Sequence, residues 1–379
     1  MDPRFTVLLP THDRADVVGC AIRSVLDQTD GDFELLVVGD GCTDGTAAVV
    51  LGFGDPRIRW FDLPKAPFFG YANRNIALRE ARGELVAFMA HDDLMLPDHL
   101  ERLAARFAVA DVEWAYSRPV WVSDDGLMIP FAVDLRKREQ LDFFLDVANS
   151  IPASCVMYRR TCLDRYGYWP EDVPGAGDWE HWKAIIRPSG GANMTYVPEA
   201  TTLHFRASWR DPALWGPPPL HRWLGVAADQ RRWPPALQAL LMPGEPPQAS
   251  VLRAIQRDSA GWMSATRDAT AEAIDLLAWT QAAALDRMDE ALAQARVGAE
   301  RAQSDALRVA EQAASARGDA DRWQRDAERW QREAEAGARA AEGAAAEARY
   351  ARAELVSLLT SRSWRLTAPL RRARTVLRR

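Results

Sequence analysis

Two adjacent carboxylates, Asp92 and Asp93, follow a short apolar run at residues 85–89, which a turn signal at residues 82–84 introduces. An apolar run of this length after a turn predicts a buried strand. Open α/β sheets bind their ligands beyond the carboxyl ends of the strands, where these acids are placed. Carboxylate oxygens suit Mg²⁺ or Mn²⁺, which usually complete their shells with substrate phosphates. The pattern predicts an enzyme that binds a nucleotide diphosphate; an acidic surface loop is the alternative.

The elements that position these acids are predicted from the first 50 residues. Apolar runs at 5–10 and 33–38 flank a helical pattern at 17–26. This order and spacing predict a βαβ unit with a parallel sheet. Asp40 then ends the second strand, and the glycines around it let a ligand approach the backbone closely. Asp44 or Thr46 is expected to cap the helix that follows.

Four motifs follow one another between residues 4 and 205 in an order that is specific to one family. They are Pro10-Thr11-His12-Asp13-Arg14, Gly39-Asp40-Gly41-Cys42-Thr43-Asp44-Gly45-Thr46, Ala72-Asn73-Arg74-Asn75 with Ala81-Arg82-Gly83-Glu84, and His91-Asp92-Asp93-Leu94 with Leu96-Pro97. Together they resemble the family 2 glycosyltransferases. The resemblance implies the GT-A fold, an α/β fold with a Rossmann-like, mostly parallel sheet flanked by helices.

The resemblance assigns five residues to the nucleotide. Pro10, Thr11 and His12 lie in the first motif, and the residue that matches His12 packs against the base. Asp40 matches the aspartate that hydrogen-bonds the base, commonly uracil or thymine. Arg74 lies in a segment that contacts the nucleotide, and a guanidinium suits a diphosphate as well as structural carboxylates.

The resemblance also implies a metal and a catalytic base. Asp92 matches the metal-binding aspartate of the Asp-X-Asp element, with Asp93 beside it, so Mg²⁺ or Mn²⁺ is the expected cofactor. His204 matches a histidine that joins the metal or the diphosphate in some GT-A enzymes; a structural role is the alternative. Asp178, in the segment 176–182, matches the base that takes the acceptor's proton, and it is also placed to cap a helix. We expect Trp179 and Trp182 to exclude water there, whereas His91 is expected to point outward without a chemical role.

Three positions depart from the family pattern. Gly39, Ala90 and Gly177 stand where the first acid of each acidic motif is usual, while the second acid is kept each time. Chance decay into an inactive relative is not expected to spare the same member three times. We therefore predict an active enzyme with weaker metal affinity, because fewer ligand charges lower affinity at an oxygen site.

The resulting interpretation is an inverting glycosyltransferase that moves a sugar from a nucleotide-sugar donor to a hydroxyl of a growing surface glycan, free or lipid-linked. The rival is a non-catalytic GT-A-like scaffold that binds nucleotide or glycan and organises partners. Nucleotidyl transfer is disfavoured, because no glycine-rich basic loop follows the first strand.

Composition places this activity in the cytoplasm. The 379 residues carry a net charge of −6 and four cysteines without metal or disulfide spacing, which we expect to be reduced. The start of the sequence does not resemble a signal peptide, and no apolar run is long enough to span a bilayer. An acidic chain without a binding motif also argues against nucleic acid as a partner.

The second half of the sequence predicts three further parts after a catalytic domain at 1–210. Residues 211–280 contain a segment rich in Trp and Pro, expected to wrap the catalytic domain, followed by helices. Residues 281–360 predict a coiled coil, with Leu285, Met288, Leu292, Trp323 and Trp330 on a seam that is otherwise mostly alanine. Such a coiled coil would bind a second copy or a partner enzyme; a solitary charged helix or a disordered spacer is the alternative. As one helix, ~75 residues would reach ~110 Å.

The tail at 361–379 holds seven arginines and no acid, interleaved with apolar residues. It resembles the tails of bacterial surface-polysaccharide glycosyltransferases. This pattern suits an anionic membrane surface and predicts peripheral docking at the inner face of the cytoplasmic membrane; a solvated basic tail is the alternative.

Overall fold

The computed structural model describes residues 2–205, 233–315 and 320–360, in two units, Met1–Ile274 and Asp275–Arg379. Its strands are β1 (Phe5–Thr11), β2 (Phe33–Asp40), β3 (Ile58–Leu63), β4 (Leu85–Phe88), β5 (Leu94–Met95), β6 (Trp114–Arg118), β7 (Val120–Val122), β8 (Met128–Pro130), β9 (Val156–Arg159), β10 (Met194–Ala200) and β11 (Thr202–Phe205). Its helices are α1 (Val18–Leu26), α2 (Thr46–Leu51), α3 (Tyr71–Leu78), α4 (His99–Ala104), α5 (Arg138–Asp146), α6 (Thr161–Tyr166), α7 (Gly177–Ile186), α8 (Pro247–Arg257), α9 (Ser259–Ser315) and α10 (Ala320–Thr360).

A seven-stranded sheet in the order β10-β6-β9-β4-β1-β2-β3 forms the centre of the first unit. Strand β1 runs parallel to β2 and β4, and β2 runs parallel to β3. Strand β9 is antiparallel to both of its neighbours, β4 and β6. The predicted βαβ unit and the mostly parallel sheet are confirmed.

Two apolar layers explain why these segments form a sheet between helices. Every residue of β1 and β2 is buried, as expected for central strands covered on both faces. One face packs on α1 through Val18, Ile22 and Val25. The other face carries an aromatic core that includes Trp114 and Trp182. The α/β fold class with a helical extension is confirmed.

A smaller sheet, in the order β5-β11-β7-β8, lies beside the carboxyl end of β4. Strand β11 pairs antiparallel with β5, which begins directly after Asp93, and parallel with β7. These pairings bring residue 204 close to residues 92 and 93, which are more than 100 positions away in the chain.

Residues 233–274 return to the first unit after the undescribed stretch at 206–232. Trp233 is buried and donates its indole N–H to the carbonyl of Met128 at 3.2 Å. Arg267 forms an ion pair with Asp98 at 2.7 Å. Most of the predicted Trp- and Pro-rich wrapping segment lies outside the described residues, and the domain boundary near residue 210 stays a prediction.

Helix α9 in its second half and helix α10 lie antiparallel in the second unit. Arg352 approaches Asp289 at 3.5 Å, and Gly337 lies against Ala299. Four buried side chains of α10, Ala327, Ala334, Ala341 and Ala348, lie seven residues apart, and Ala345 is buried beside them. Alanine permits close helix packing but buries little apolar area.

This pairing corrects two expectations about the helical region. The chain folds back between α9 and α10, so residues 281–360 do not form one continuous helix of ~110 Å. Trp330 is 40% exposed and lies outside the buried seam. Coiled-coil association with a second copy or a partner stays a prediction.

The tail at 361–379 lies outside the described residues. None of the helices in the described ranges combines the length and the apolar composition needed to cross a membrane.

Candidate functional site

The loops that follow β1 and β2 are tied together by carboxylates. Asp13, in the left-handed region at φ 48°, accepts the backbone N–H of Thr43 at 2.6 Å. This hydrogen bond is the main reason why the pKa of Asp13 lies below its ordinary value. Asp44 accepts the N–H of Thr46 at 2.9 Å, at the start of α2, and that of Ala15 at 3.0 Å. Asp44 therefore ties the start of α2 to the first loop, although the N-cap residue itself is Gly45 and not Asp44 or Thr46.

These ties position the first predicted nucleotide-binding segment. Pro10 and Thr11 are buried at the end of β1, and His12 is partly exposed beyond them. The imidazole Nε2 of His12 lies 3.8 Å from the carboxylate of Asp13. Within the described residues, no side chain or backbone group hydrogen-bonds Nδ1 of His12 or the hydroxyl of Thr11.

Asp40 ends β2 and organises the loop between β3 and α3. Its Oδ1 accepts the amide of Asn73 at 2.7 Å and the N–H of Ala66 at 2.8 Å, while Oδ2 pairs with Lys65 at 2.5 Å. A Cβ at Gly70 would lie 2.6 Å from this carboxylate, and Gly70 has φ 72°. The carboxylate thus already has protein partners, and a base would meet it beside Lys65.

Arg74 lies among aromatic rings, and two predicted site residues, Asp40 and Asp178, favour its charge. Its guanidinium lies 4.9 Å from the ring centroid of Tyr71 and 5.1 Å from that of Trp169. Burial lowers the pKa of Arg74, and Tyr71, Asp178 and Asp40 oppose that shift in this order. Asn73 donates to Asp40 and the Tyr71 hydroxyl accepts the N–H of Gly177, so α3 brings the end of β2 and the start of α7 to Arg74.

Asp178 lies in the first turn of α7. Its Oδ1 accepts the N–H of Trp179 at 2.9 Å, so the side chain has a helix-terminal role whatever its chemistry. The indole of Trp179 donates to the carbonyl of Phe144 at 2.7 Å, and Trp182 is buried in the core. Both indoles therefore belong to the support of α7.

Asp92 lines a cleft of about 280 Å³ at the carboxyl end of β4. The residues that line it are Arg14, Asp16, Val17, Asp92, Val122, Ser123, Asp124, Phe205, Pro246, Pro247 and Gln248. The Asp92 side chain is 11% exposed. The first loop, the end of β4, the second sheet and the start of α8 all contribute to this cleft.

His91 links this cleft to the nucleotide segment, which corrects the expectation that it points outward. Its Nδ1–H donates to the carbonyl of Pro10 at 3.3 Å, and its Nε2 lies 3.8 Å from Asp92. Burial lowers the pKa of His91. His91 lies past the end of β4 at Phe88, in the loop that packs against the end of β1.

Asp93 is fully buried, and protein groups engage both of its oxygens. The hydroxyl of Ser154 donates at 2.5 Å, Nδ1 of His204 lies at 2.9 Å, and the N–H of Phe205 donates at 3.1 Å. The ring of His204 also meets the indole of Trp121 edge-on at 4.4 Å. A carboxylate that orients a histidine is a common second layer around metals.

The residues present offer oxygen and nitrogen donors for a divalent cation. Asp92 would supply a carboxylate oxygen, His204 would supply Nε2, and Asp93 would hold His204 in place. Mg²⁺ and Mn²⁺ accept such ligands and commonly keep water or phosphate in the remaining positions. Among the described residues, no group of three or more His, Cys, Asp or Glu side chains is placed so that it could hold a metal ion.

The positions of the missing acids are filled by packing. A Cβ at Gly39 would lie 2.3 Å from the indole of Trp60, and one at Gly177 would lie 2.8 Å from the ring of Tyr71. Ala90 donates its N–H to Ser154 at 3.0 Å and packs against the aromatic core. Sequence reasoning missed Trp60 and Tyr71 as the partners of these glycines, because each contact is long-range.

Gln248 and Lys65 are two further site residues that the motifs do not reveal. Gln248 donates to the carbonyl of Asp92 at 2.9 Å from 156 positions along the chain. Lys65 follows β3 and pairs with Asp40. The only sequence signal for Lys65 is its position as a basic residue just after a strand. No local sequence signal points to Gln248.

Comparison with known proteins indicates which family this chain resembles. The family model for glycosyl transferase family 2 matches residues 6–167. The succinoglycan biosynthesis protein ExoO of Rhizobium meliloti is 35% identical over 124 residues, 33% of this chain and 35% of that protein. The UDP-Glc:alpha-D-GlcNAc-diphosphoundecaprenol beta-1,3-glucosyltransferase WfgD of Escherichia coli is 29% identical over 130 residues, 34% of this chain and 51% of that protein. The chain thus spans about a third to a half of the length of these relatives.

A similar stretch matches the GalNAc(5)-diNAcBac-PP-undecaprenol beta-1,3-glucosyltransferase of Campylobacter jejuni, at 34% identity over 103 residues, 27% of this chain and 33% of that protein. Among solved structures, S. aureus TarS 1-349 in complex with UDP-GlcNAc has a TM-score of 0.47 and 18% identity, over 73% of this chain and 80% of that one. The order of the motifs and the match to the family model indicate the same family, and the sheet is the one that the resemblance predicts. Residues 6–167 thus match the model of glycosyl transferase family 2, the family that the motifs indicate.

Proposed function

We propose that this protein is an inverting glycosyltransferase that uses a nucleoside-diphosphate sugar, with a divalent cation at Asp92 and Asp178 as the general base. The observation that carries the proposal is the placement of α3: Asn73 donates to Asp40, Arg74 lies 4.9 Å from the Tyr71 ring, and the Tyr71 hydroxyl accepts the N–H of Gly177, next to Asp178. It unites a predicted base-binding residue, a predicted phosphate-binding residue and the predicted catalytic base. The scaffold alternative is not favoured, because such a scaffold has no need to keep these charges together.

Each residue has a distinct part in the proposed reaction. His12 and Asp40 hold the base, and Arg74 compensates charge near the diphosphate. A cation at Asp92 would neutralise the charge that develops on the leaving nucleoside diphosphate. Asp178 takes the proton of the acceptor hydroxyl as that oxygen attacks the anomeric carbon from the opposite side. One displacement inverts the configuration at that carbon and requires no covalent intermediate.

The names of two relatives suggest the substrate class. Both are called glucosyltransferases, and both names specify acceptors linked to undecaprenol through a diphosphate. We propose that this protein uses a UDP- or dTDP-linked sugar as donor and a lipid-linked or growing surface glycan as acceptor. Such an acceptor would lie at the inner face of the cytoplasmic membrane.

The remaining parts of the chain fit this location. The seven arginines of the tail at 361–379 suit an anionic membrane surface, at about 1 kcal/mol for each residue near the surface. We propose that the tail docks the enzyme there and that the helical region binds a second copy or a partner enzyme.

The test is binding of UDP and dTDP to the full chain with and without Mn²⁺, by titration calorimetry. We expect one of them to bind more tightly with Mn²⁺, and Asp92→Asn to lose that gain. Asp164→Asn, on the exposed face of α6, is the matched control and should bind as the wild type does. Absence of binding to both nucleotides, or a gain from Mn²⁺ that survives Asp92→Asn, would contradict the proposal.

A further inference from the structure

Gln248 enters the site from a part of the chain beyond the family match. It lies in the first turn of α8, which begins at Pro247, and only 6% of the residue is exposed. A glutamine is rarely so buried unless its amide is hydrogen-bonded. Both Pro247 and Gln248 line the cleft beside Asp92.

The orientation of the Gln248 amide follows from its partner. Its Nε2 lies 2.9 Å from the carbonyl oxygen of Asp92. A carbonyl oxygen only accepts hydrogen bonds, so the NH₂ end must face it and Oε1 must face elsewhere. Among the described residues, Oε1 is buried and has no hydrogen-bond partner.

An unpaired buried acceptor is costly, at about 1–3 kcal/mol. A protein keeps such an atom where a donor arrives from outside, and the cleft of about 280 Å³ is far larger than one water molecule requires. The cleft is rich in acceptors, because the carboxylates of Asp16, Asp92 and Asp124 line it with Arg14. A ligand that carries several hydroxyl groups complements such a surface.

We propose that Gln248 binds the donor sugar: its Oε1 accepts a hydrogen bond from a hydroxyl of the sugar whose diphosphate lies at Asp92. The proposal rests on the proposed function. Phosphate oxygens cannot donate to Oε1. The donor has hydroxyls on its ribose and on its sugar, and the ribose is attached directly to the base, whose proposed site is at His12 and Asp40. The sugar is therefore the part that we assign to this position. The bond from Nε2 to Asp92 would couple sugar recognition to the cation site.

The experiment compares wild type, Gln248→Met and Gln256→Met by titration calorimetry with Mn²⁺. Gln256 lies on the exposed face of the same helix, so it controls for the chemical change. The probes are UDP-glucose, UDP-galactose, UDP-GlcNAc, dTDP-glucose and GDP-mannose, each beside its free nucleoside diphosphate. We expect Gln248→Met to weaken the nucleotide sugar that the wild type binds by about 3- to 10-fold, the equivalent of one hydrogen bond. Affinity for the free diphosphate should stay within about twofold.

Other outcomes separate the two levels of the account. Equal weakening of nucleotide sugar and free diphosphate would place Gln248 on the cation, the phosphates or the ribose and overturn the sugar assignment. If the variant binds both the nucleotide sugar and the free diphosphate as tightly as the wild type does, Oε1 is hydrogen-bonded by ordered water. This result would also overturn the sugar assignment, but it would not affect the proposed function. A wild type that binds none of the probes would defeat the proposed function itself.

A second measurement does not depend on the folding of a variant. Monodeoxy analogues of the bound donor are titrated into the wild type, where loss of one particular hydroxyl should weaken binding about 10-fold or more, because Oε1 is then left unpaired. Gln248→Met should not distinguish that analogue from the parent donor. Wild-type affinities that are the same for all the analogues would contradict the proposal.

Discussion

Aromatic rings stand where family members usually carry an acid. Trp60 covers Gly39, and Tyr71 covers Gly177 while its hydroxyl accepts the Gly177 N–H at 3.1 Å. The acids that follow these two glycines, Asp40 and Asp178, are kept beside α3, which carries Arg74. The substitutions therefore changed the support of the site and kept its charged groups.

Gly177 is predicted to tolerate no side chain. Gly177→Ala should lower the free energy of unfolding by about 1–3 kcal/mol, because its Cβ would overlap the ring of Tyr71 in a packed region. Gly175→Ala is the control, since its Cβ would lie 3.8 Å from Phe69, an ordinary contact. Urea denaturation of both variants tests this, and equal stabilities would contradict it.

Asp178 is predicted to act in the chemical step. Asp178→Asn should reduce kcat by about 10²–10⁴-fold, because the amide cannot take a proton from the acceptor. The helix start should survive, since the amide oxygen can still accept the Trp179 N–H. Donor affinity should stay within about threefold, and a kcat close to that of the wild type would remove Asp178 from the chemistry.

At the scale of elements, Asp93 connects β4 to β11. Its carboxylate holds Ser154, His204 and the N–H of Phe205 in a fully buried position. Asp93→Ala should cost about 3–5 kcal/mol of unfolding free energy, because three partners lose their acceptor inside the protein. Asp92→Ala should cost clearly less, because that side chain lies at the cleft. Thermal unfolding compares the two, and the opposite order would show that Asp93 does not connect these strands.

How much of the fold the sequence predicts depends on how local the signal is. Strands β1, β2 and β4 and helix α1 are predicted within about two residues, because continuous apolar runs mark central strands of a parallel sheet. The second sheet is not predicted, since β5, β7 and β8 have only two or three residues each. Its pairing with β11 depends on tertiary contacts.

The same limit applies to the site. Motif residues such as Asp92 follow recognisable strands, and the structure places them at the carboxyl edge as expected. Gln248 reaches Asp92 across 156 positions, and nothing in the sequence around Gln248 announces this contact. Trp330 fits the heptad spacing but is exposed, because the alanines of α10 already form the contact with α9.

At the scale of the whole molecule, buried histidines are expected to govern stability in mild acid. Burial lowers the pKa of His181 to about 4 and that of His99 to about 3. The unfolded chain binds protons at these histidines near pH 6.5, whereas the folded chain does not. Stability should therefore be lost as the pH falls from about 6.5 towards 4, because the unfolded state then binds more protons.

His181→Phe tests this dependence. It removes one of these buried histidines, so the loss of unfolding free energy between pH 7 and pH 5 should be smaller than in the wild type by about 2 kcal/mol. Phe fits the site between Trp169 and Tyr158, whose rings already pack on His181. Urea denaturation at both pH values measures the difference, and identical losses would show that His181 does not titrate on unfolding.

The central claim is that this chain cleaves a nucleotide sugar with the help of a cation at Asp92. The most direct test is release of nucleoside diphosphate from a panel of nucleotide sugars in Mn²⁺, for the wild type and Asp92→Ala. We predict slow release from one donor by the wild type, lost on chelation of Mn²⁺ and lost in a folded Asp92→Ala protein. Release that persists unchanged in Asp92→Ala, or a wild type that neither cleaves nor binds any donor, would contradict the claim.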